Sequence, residues 1–400
     1  MRKRMISSGL AALLLASCAT VDTGSRPAEG AMLPSGDAAV MRLPAITPAP
    51  DELQVLFWDD ATRLARFRDM ESWFAGHEVA ADPSPRALPT GAALPAGLAT
   101  EIRSAMEGTG AVGVMVLQAG AVRFADYAPG FGPEQRWTSF SVAKSFTSTL
   151  LGAALRDGHI ASLDDPVTQY VPGLVGSAYD EVSVRQLATM TSGVAWNEDY
   201  SDPASDVAQL NRFVLEHGPD AIVAQMRALP REAPPGEKWV YKTGETNLLG
   251  LLVENAVGMS LAGYAKENIV DAAGFEGDMF WMTDPRGGNV GGCCLSLRLA
   301  DYARFGQFAL EGGGDVVPVG WFGEAGAQQV DFGGQGFGYG YQWWTYPGGN
   351  FGAQGIFGQS ITLVPEKDIV VAIVSNWPTA SSGDLRRRWL GITAKLAALE

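Results

Sequence analysis

The sequence predicts an α+β fold: one antiparallel β-sheet flanked by terminal helices, with an all-helical domain inserted into it. Three observations carry that expectation. Runs rich in β-branched residues lie early, at 112–117 and 122–127, and late, at 340–346, 359–364 and 369–375. Between them apolar residues recur at helical spacing. An amphipathic stretch at 384–399 closes the chain, and a short helical stretch at 98–106 precedes the first β run. β segments at both ends with helices gathered between them give a sheet domain of 95–135 and 330–400 and a helical domain of 136–329.

Taken in order, the chain opens on Arg2, Lys3 and Arg4 followed by an apolar run, 6–16, too short to span a bilayer. The run ends in Leu15-Ala16-Ser17-Cys18, the pattern of a bacterial lipoprotein signal of residues 1–18, with Cys18 as the lipidated residue. Residues 19–50, rich in Ala, Pro, Gly and Ser, read as a flexible tether. Residues 51–94 form an N-terminal extension with one amphipathic helix over 51–76. A turn at 118–121 joins the first two β runs as a hairpin. In the middle, Ser183 and Gln186 form a capping-box pattern for a helix that stops at Gly193. Further helices are expected at 207–216, 221–227, 246–257 and 261–269, and one capped by Ser296 that runs to about 310. The polar turn 365–368 links the last two β runs.

Composition narrows the function classes. A net charge of −15 over 400 residues disfavours nucleic acid as a partner. The chain has three cysteines and three histidines. Cys293 and Cys294 are adjacent, so no structural disulfide is expected. No histidine has ligand spacing to another or to a cysteine, so neither a metal nor another cofactor is implied. A Ser-His-Asp device has little material to use, and no Gly-x-Ser-x-Gly elbow occurs.

What remains is the one Ser-x-x-Lys of the chain, Ser141 to Lys144, opening a helix that continues through 146–155. A serine and a lysine three apart share one helical face. The first-turn N–H groups favour a developing oxyanion, and a poorly solvated lysine can take the serine proton. A second stretch, Trp239-Val240-Tyr241-Lys242-Thr243-Gly244, offers Tyr241 as a proton relay whose phenolate a nearby ammonium favours. Thr243 can face the same cleft. A third, 352–359, is glycine-rich at a strand edge, where a backbone N–H can approach a ligand. Trp137, Tyr339, Trp343 and Trp344 are candidates for the walls of an apolar pocket.

These motifs, in this order over about 95–377, resemble the serine β-lactamase and penicillin-binding superfamily. The closer likeness is to class C-like esterases and 6-aminohexanoate-dimer-type hydrolases. It is carried by 139–145, 182–187 with 190–193, 241–250, 291–292 with 301–306, and 355–359. The resemblance implies a β-lactamase/transpeptidase-like fold. It also implies Ser141 as acyl-accepting nucleophile, Lys144 as proton acceptor or electrostatic aid, and Tyr241 as proton shuttle. The N–H groups of Ser141 and Ile356 would form the oxyanion hole, with Thr243, Tyr200 and Gly355 as substrate contacts.

Two departures bear on the substrate. Gln354 stands before Gly355 where β-lactamases and D-alanyl peptidases carry a cation, and Thr243 replaces an asparagine. Loss of a charge-assisted hydrogen bond to a substrate carboxylate weakens binding by about 10–150-fold. The expectation is therefore a periplasmic hydrolase, lipid-anchored to the outer membrane, that cleaves small esters or amides. The alternatives are a D-alanyl carboxypeptidase or weak β-lactamase, and a non-catalytic wall-binding lipoprotein. Oligomeric state is left open.

Overall fold

A computed structural model describes residues 37–399. The signal segment, Cys18 and most of the tether lie outside the described residues. Thirteen strands and eleven α-helices are described. The strands are β1 Val40–Arg42, β2 Gly76–Val79, β3 Ala111–Gln118, β4 Ala121–Tyr127, β5 Arg136–Thr138, β6 Met279–Met282, β7 Leu295–Arg298, β8 Val330–Asp331, β9 Gly338–Tyr339, β10 Trp344–Tyr346, β11 Asn350–Gln354, β12 Ser360–Val364 and β13 Ile369–Ser375. The helices are α1 Asp60–Arg66, α2 Ala96–Thr109, α3 Ala143–Arg156, α4 Val184–Ala188, α5 Leu210–His217, α6 Ala221–Arg227, α7 Thr243–Val257, α8 Leu261–Ala265, α9 Leu299–Leu310, α10 Trp321–Ala325 and α11 Gly383–Ala397.

The main sheet has eight antiparallel strands in the order β4-β3-β13-β12-β11-β10-β9-β8. Its centre shows why the early and late runs find each other. On β13, Ile369, Val371 and Ile373 face one way and Val370, Ala372 and Val374 the other; on β3, Val114 and Val116 oppose Met115 and Leu117. The pleat sends alternate side chains to opposite faces, and both faces are buried. One face carries α2 and α11, with Ile102, Met106, Trp389 and Ile392 in that layer. The other packs on α9, where Gly306 admits the sheet closely: a Cβ there would meet Val370 at 2.5 Å and Ile361 at 2.9 Å. The fold class is thus the expected one.

The segment 136–329 carries α3 to α10 and also three short strands. β5, β6 and β7 join β1 and β2 in a second sheet, ordered β1-β2-β6-β7-β5. Ser296, expected as a helix cap, lies in β7, paired with Thr138 and Phe280, and α9 starts three residues later. Short strands set against glycine-rich turns leave no periodic signal. The Ser183–Gln186 capping box is present, but α4 stops at Ala188 and Met190 takes a left-handed φ of 57°.

The N-terminal extension differs more. Over 51–76 only α1 is α-helical, with 3-10 turns at Val55–Phe57 and Met70–Ser72 on either side. Asp59 caps α1 by accepting from Thr62 N–H, and so sets its start after Trp58. Apolar residues at nearly helical spacing here serve separate turns. The far end of the tether is fixed: β1 pairs with β2, and Asp37 Oδ2 accepts from Ser260 N–H at 2.9 Å. Val40 is 65% exposed, so backbone pairing rather than an apolar face holds this strand. Cys293 and Cys294 lie side by side in the turn after Gly291 and Gly292.

Candidate active site

Ser141 lies in a 3-10 turn, Phe140–Val142, that runs directly into α3. Phe140, just before it, has φ 44°, a left-handed conformation rare for a bulky residue. The opposite side of the cleft repeats the device: Phe357, just after Ile356, has φ 56°. One aromatic cluster holds both. The Phe140 and Phe357 rings are 5.4 Å apart, and Phe67 packs on them at 4.9 and 5.4 Å. Phe67 comes from the N-terminal extension, is fully buried, and accepts from Thr138 N–H at 2.8 Å through its carbonyl.

Gly355 brings the two sides together, since a Cβ there would lie 2.6 Å from Ser139 O. Neither the Ser141 nor the Ile356 N–H has an acceptor among the described residues, and both residues line one cleft of about 360 Å³. Tyr200, Tyr241, Gly355 and Trp344 line the same cleft.

Lys144, 1% exposed, spends all three of its protons: Nζ donates to Ser141 Oγ (3.1 Å), Thr243 Oγ1 (3.1 Å) and Gly292 O (2.9 Å). Burial pulls its pKa down to about 8, against the opposing charge of Glu198. Tyr241 stacks on Trp344 (5.5 Å) and packs edge-on to Tyr339 (6.2 Å). Its ring lies 5.3 Å from Lys144 Nζ, and Tyr241 and Ser141 line the same cleft, close enough for Ser141 to act on the phenol. Here the sequence expectation of a favoured phenolate is reversed. Burial, then Glu198, raise the Tyr241 pKa far above that of a free phenol, outweighing the opposing effect of Ser141. The group is a neutral acid at neutral pH. Lys242, its neighbour, turns away into a buried contact with Glu245 at 3.5 Å.

Thr243 does not line the cleft. Its hydroxyl connects Lys144 to Glu198, and its N–H donates to Glu198 Oε2 at 3.0 Å. Glu198 also accepts from Tyr200 OH (2.8 Å) and from Trp196 Nε1. Sequence reasoning singled out Tyr200 but not Glu198, two residues before it. A carboxylate in a polar loop carries no spacing signal, and its importance arises from donors gathered out of two loops. Arg386 of α11 also reaches the cleft and was not foreseen; it stands 32 residues beyond the Gln354 position where no cation was expected. Of the proposed aromatic walls, Trp344 lines the cleft and Tyr339 backs Tyr241, while Trp137 and Trp343 are fully buried in the core. Among the described residues no group of three or more His, Cys, Asp or Glu is placed to hold a metal ion.

The chain is 30% identical over 312 residues to the 6-aminohexanoate-dimer hydrolase of Paenarthrobacter ureafaciens, covering 73% of this chain and 78% of that protein. It is 26% identical over 136 residues to a beta-lactamase of Pseudomonas fluorescens, covering 34% of each. The fold is similar to that of a Bacillus anthracis protein assigned as a 6-aminohexanoate-dimer hydrolase (TM-score 0.74, 22% identity, 88% of this chain and 98% of that one). It is also similar to a class C beta-lactamase of Rhodobacter sphaeroides (TM-score 0.58, 18% identity, 76% and 100%). The beta-lactamase family profile matches residues 98–395, and the chain belongs to that family of hydrolases.

Proposed function

We propose that this protein is a serine hydrolase that cleaves small amides or esters through an acyl-Ser141 intermediate. The observation that carries the reading is the convergence of Ser141 Oγ, Lys144 Nζ and the Tyr241 hydroxyl at one wall of an open cleft. Neutral Lys144 takes the Ser141 proton as Oγ attacks the carbonyl. The oxyanion is received by the N–H groups of Ser141 and Ile356. As the tetrahedral intermediate collapses, Tyr241 gives its proton to the departing nitrogen or oxygen and regains one from the Lys144 ammonium. Water then enters, Tyr241 and Lys144 remove its proton, and Ser141 leaves with a proton restored. Tyr200 and Gly355 contact the substrate from the cleft wall, while Thr243 positions Lys144.

The amide-hydrolysing relative supports amides as readily as esters. The reading also places the enzyme in the periplasm on a lipid anchor at Cys18, supported by the sequence pattern of residues 2–18 alone. The test is turnover of a short-chain p-nitrophenyl ester and a p-nitroanilide by the parent and by Ser141→Ala. The variant is expected to keep its circular dichroism and lose turnover by at least about 10³-fold. Equal rates in both proteins would sink the reading. Labelling of Ser141 by a fluorescent penicillin would move the substrate towards β-lactams and D-alanyl peptides.

A further inference from the structure

The cleft that exposes Ser141 does not end at Tyr200. A second cavity, of about 540 Å³, abuts it along Glu198, Tyr200, Ala380 and Ser381, which line both. Its far walls come from Leu56 and Phe57 of the N-terminal extension and from Phe357, the residue after Ile356. Phe57 is 45% exposed, whereas Trp58 beside it is buried.

The two walls are held by fixed contacts. Trp58 anchors the turn of the extension: its ring packs on Phe67 (6.2 Å) and Phe74 (6.3 Å), and its Nε1 donates to Glu52 O at 2.8 Å. With Trp58 turned into the core, Phe57 is left at the cavity. Across from it, the loop between β13 and α11 is tied to Phe357 twice. Phe357 N–H donates to Ala380 O at 2.8 Å, and Trp377 N–H donates to Phe357 O at 3.0 Å.

The charged groups along this chamber are engaged. Arg63 donates to Asn376 Oδ1, Trp58 O and Asp60 Oδ1. Glu198 accepts from Trp196, Tyr200 and Thr243. Asp199, at the exposed rim, accepts from Ser201 at Oδ1. What is left to meet a ligand is largely carbon, from Leu56, Phe57, Phe357 and Pro378. A neutral apolar group gains by leaving water for such a space, and a charged one loses its hydration without a partner in return.

We propose that this chamber receives a neutral alkyl chain of the substrate, across Tyr200 from Ser141, and so makes the enzyme selective for esters or amides of medium chain length. The N-terminal extension is then a specificity element, although it precedes the segment 98–395 that the family profile matches. The proposal rests on Ser141 marking the reacting end of the cleft. Its test reads binding instead of turnover, so its failure and the failure of that chemistry are separate results.

The full chain carrying Ser141→Ala is titrated, by ligand-observed NMR, with two series of neutral amides. One holds the N-methyl amides of the straight-chain acids from acetic to octanoic, the other the N-alkyl acetamides from methyl to octyl. They put the chain on opposite sides of the carbonyl, and so tell an acyl chain from a leaving-group chain. In one series affinity is expected to rise with length, by up to about 4-fold for each methylene that enters the chamber. Adding Phe57→Ser should flatten that rise. Ser381→Trp, which fills the chamber from the shared border, should cut it short. The proposal is overturned if neither series strengthens with length. It is equally overturned if the rise survives both substitutions, which would make it a general partition of alkyl chains onto the protein.

Discussion

Lys144 is solvated by three protein oxygens and no counter-ion of its own; Glu198 acts on it through the Thr243 hydroxyl. Its pKa near 8 fixes the sign of the pH response. Below that value the amine is protonated and cannot accept the Ser141 proton; above it the base is free. The rate constant kcat/KM should therefore rise through about pH 8 and level off, read from a pH series with a neutral ester. Glu198 raises the Lys144 pKa, so Glu198→Gln should move this limb to lower pH while lowering the plateau, because the donors from Thr243 and Tyr200 lose their carboxylate. A limb that stays in place would remove Glu198 from the network. Tyr241 contributes no second limb in this range, since burial and Glu198 hold its proton on.

At the scale of elements, the two loops that would form the oxyanion hole come from different sheets, one following β5 and the other joining β11 to β12. Each is kept in a left-handed residue, Phe140 and Phe357, at a cost of about 1–3 kcal/mol apiece. The cluster around Phe67 supplies the packing that offsets this. Trp137 at 5.8 Å and the Arg63 guanidinium over Phe357 at 4.9 Å complete it. Arg63 in turn donates to Asn376 Oδ1 at 3.0 Å and to Trp58 O at 2.8 Å. Phe67→Ala should lower stability by about 3–5 kcal/mol in urea titration. In the folded fraction it should also lower kcat by up to about 100-fold with KM little changed, because a displaced N–H pair is felt in the transition state. A stability loss with intact kcat would separate the cluster from catalysis.

At the scale of the molecule, what could be read from the sequence follows from how each part is stabilised. β3, β12 and β13 are buried on both faces, so their composition alone announces them. Ser141, Lys144 and Tyr241 stood out because the chemistry demands particular residue types near a helix start. Glu198 and Arg386 did not, because they meet at the cleft only after α11 and the loop 197–200 converge on it. The second sheet was missed for a related reason: its strands are three or four residues long between partners distant in sequence, and backbone pairing leaves no imprint on composition.

The ring of Phe67 sits 31 residues ahead of the segment that this chain shares with its family, which begins at 98. A wedge from outside the profile-matched segment thus packs against two loops that lie inside it. Divergence among relatives can retune that packing from upstream while every shared motif stays the same. Chimeras joined at the family boundary would then inherit their reactivity from the donor of the first hundred residues.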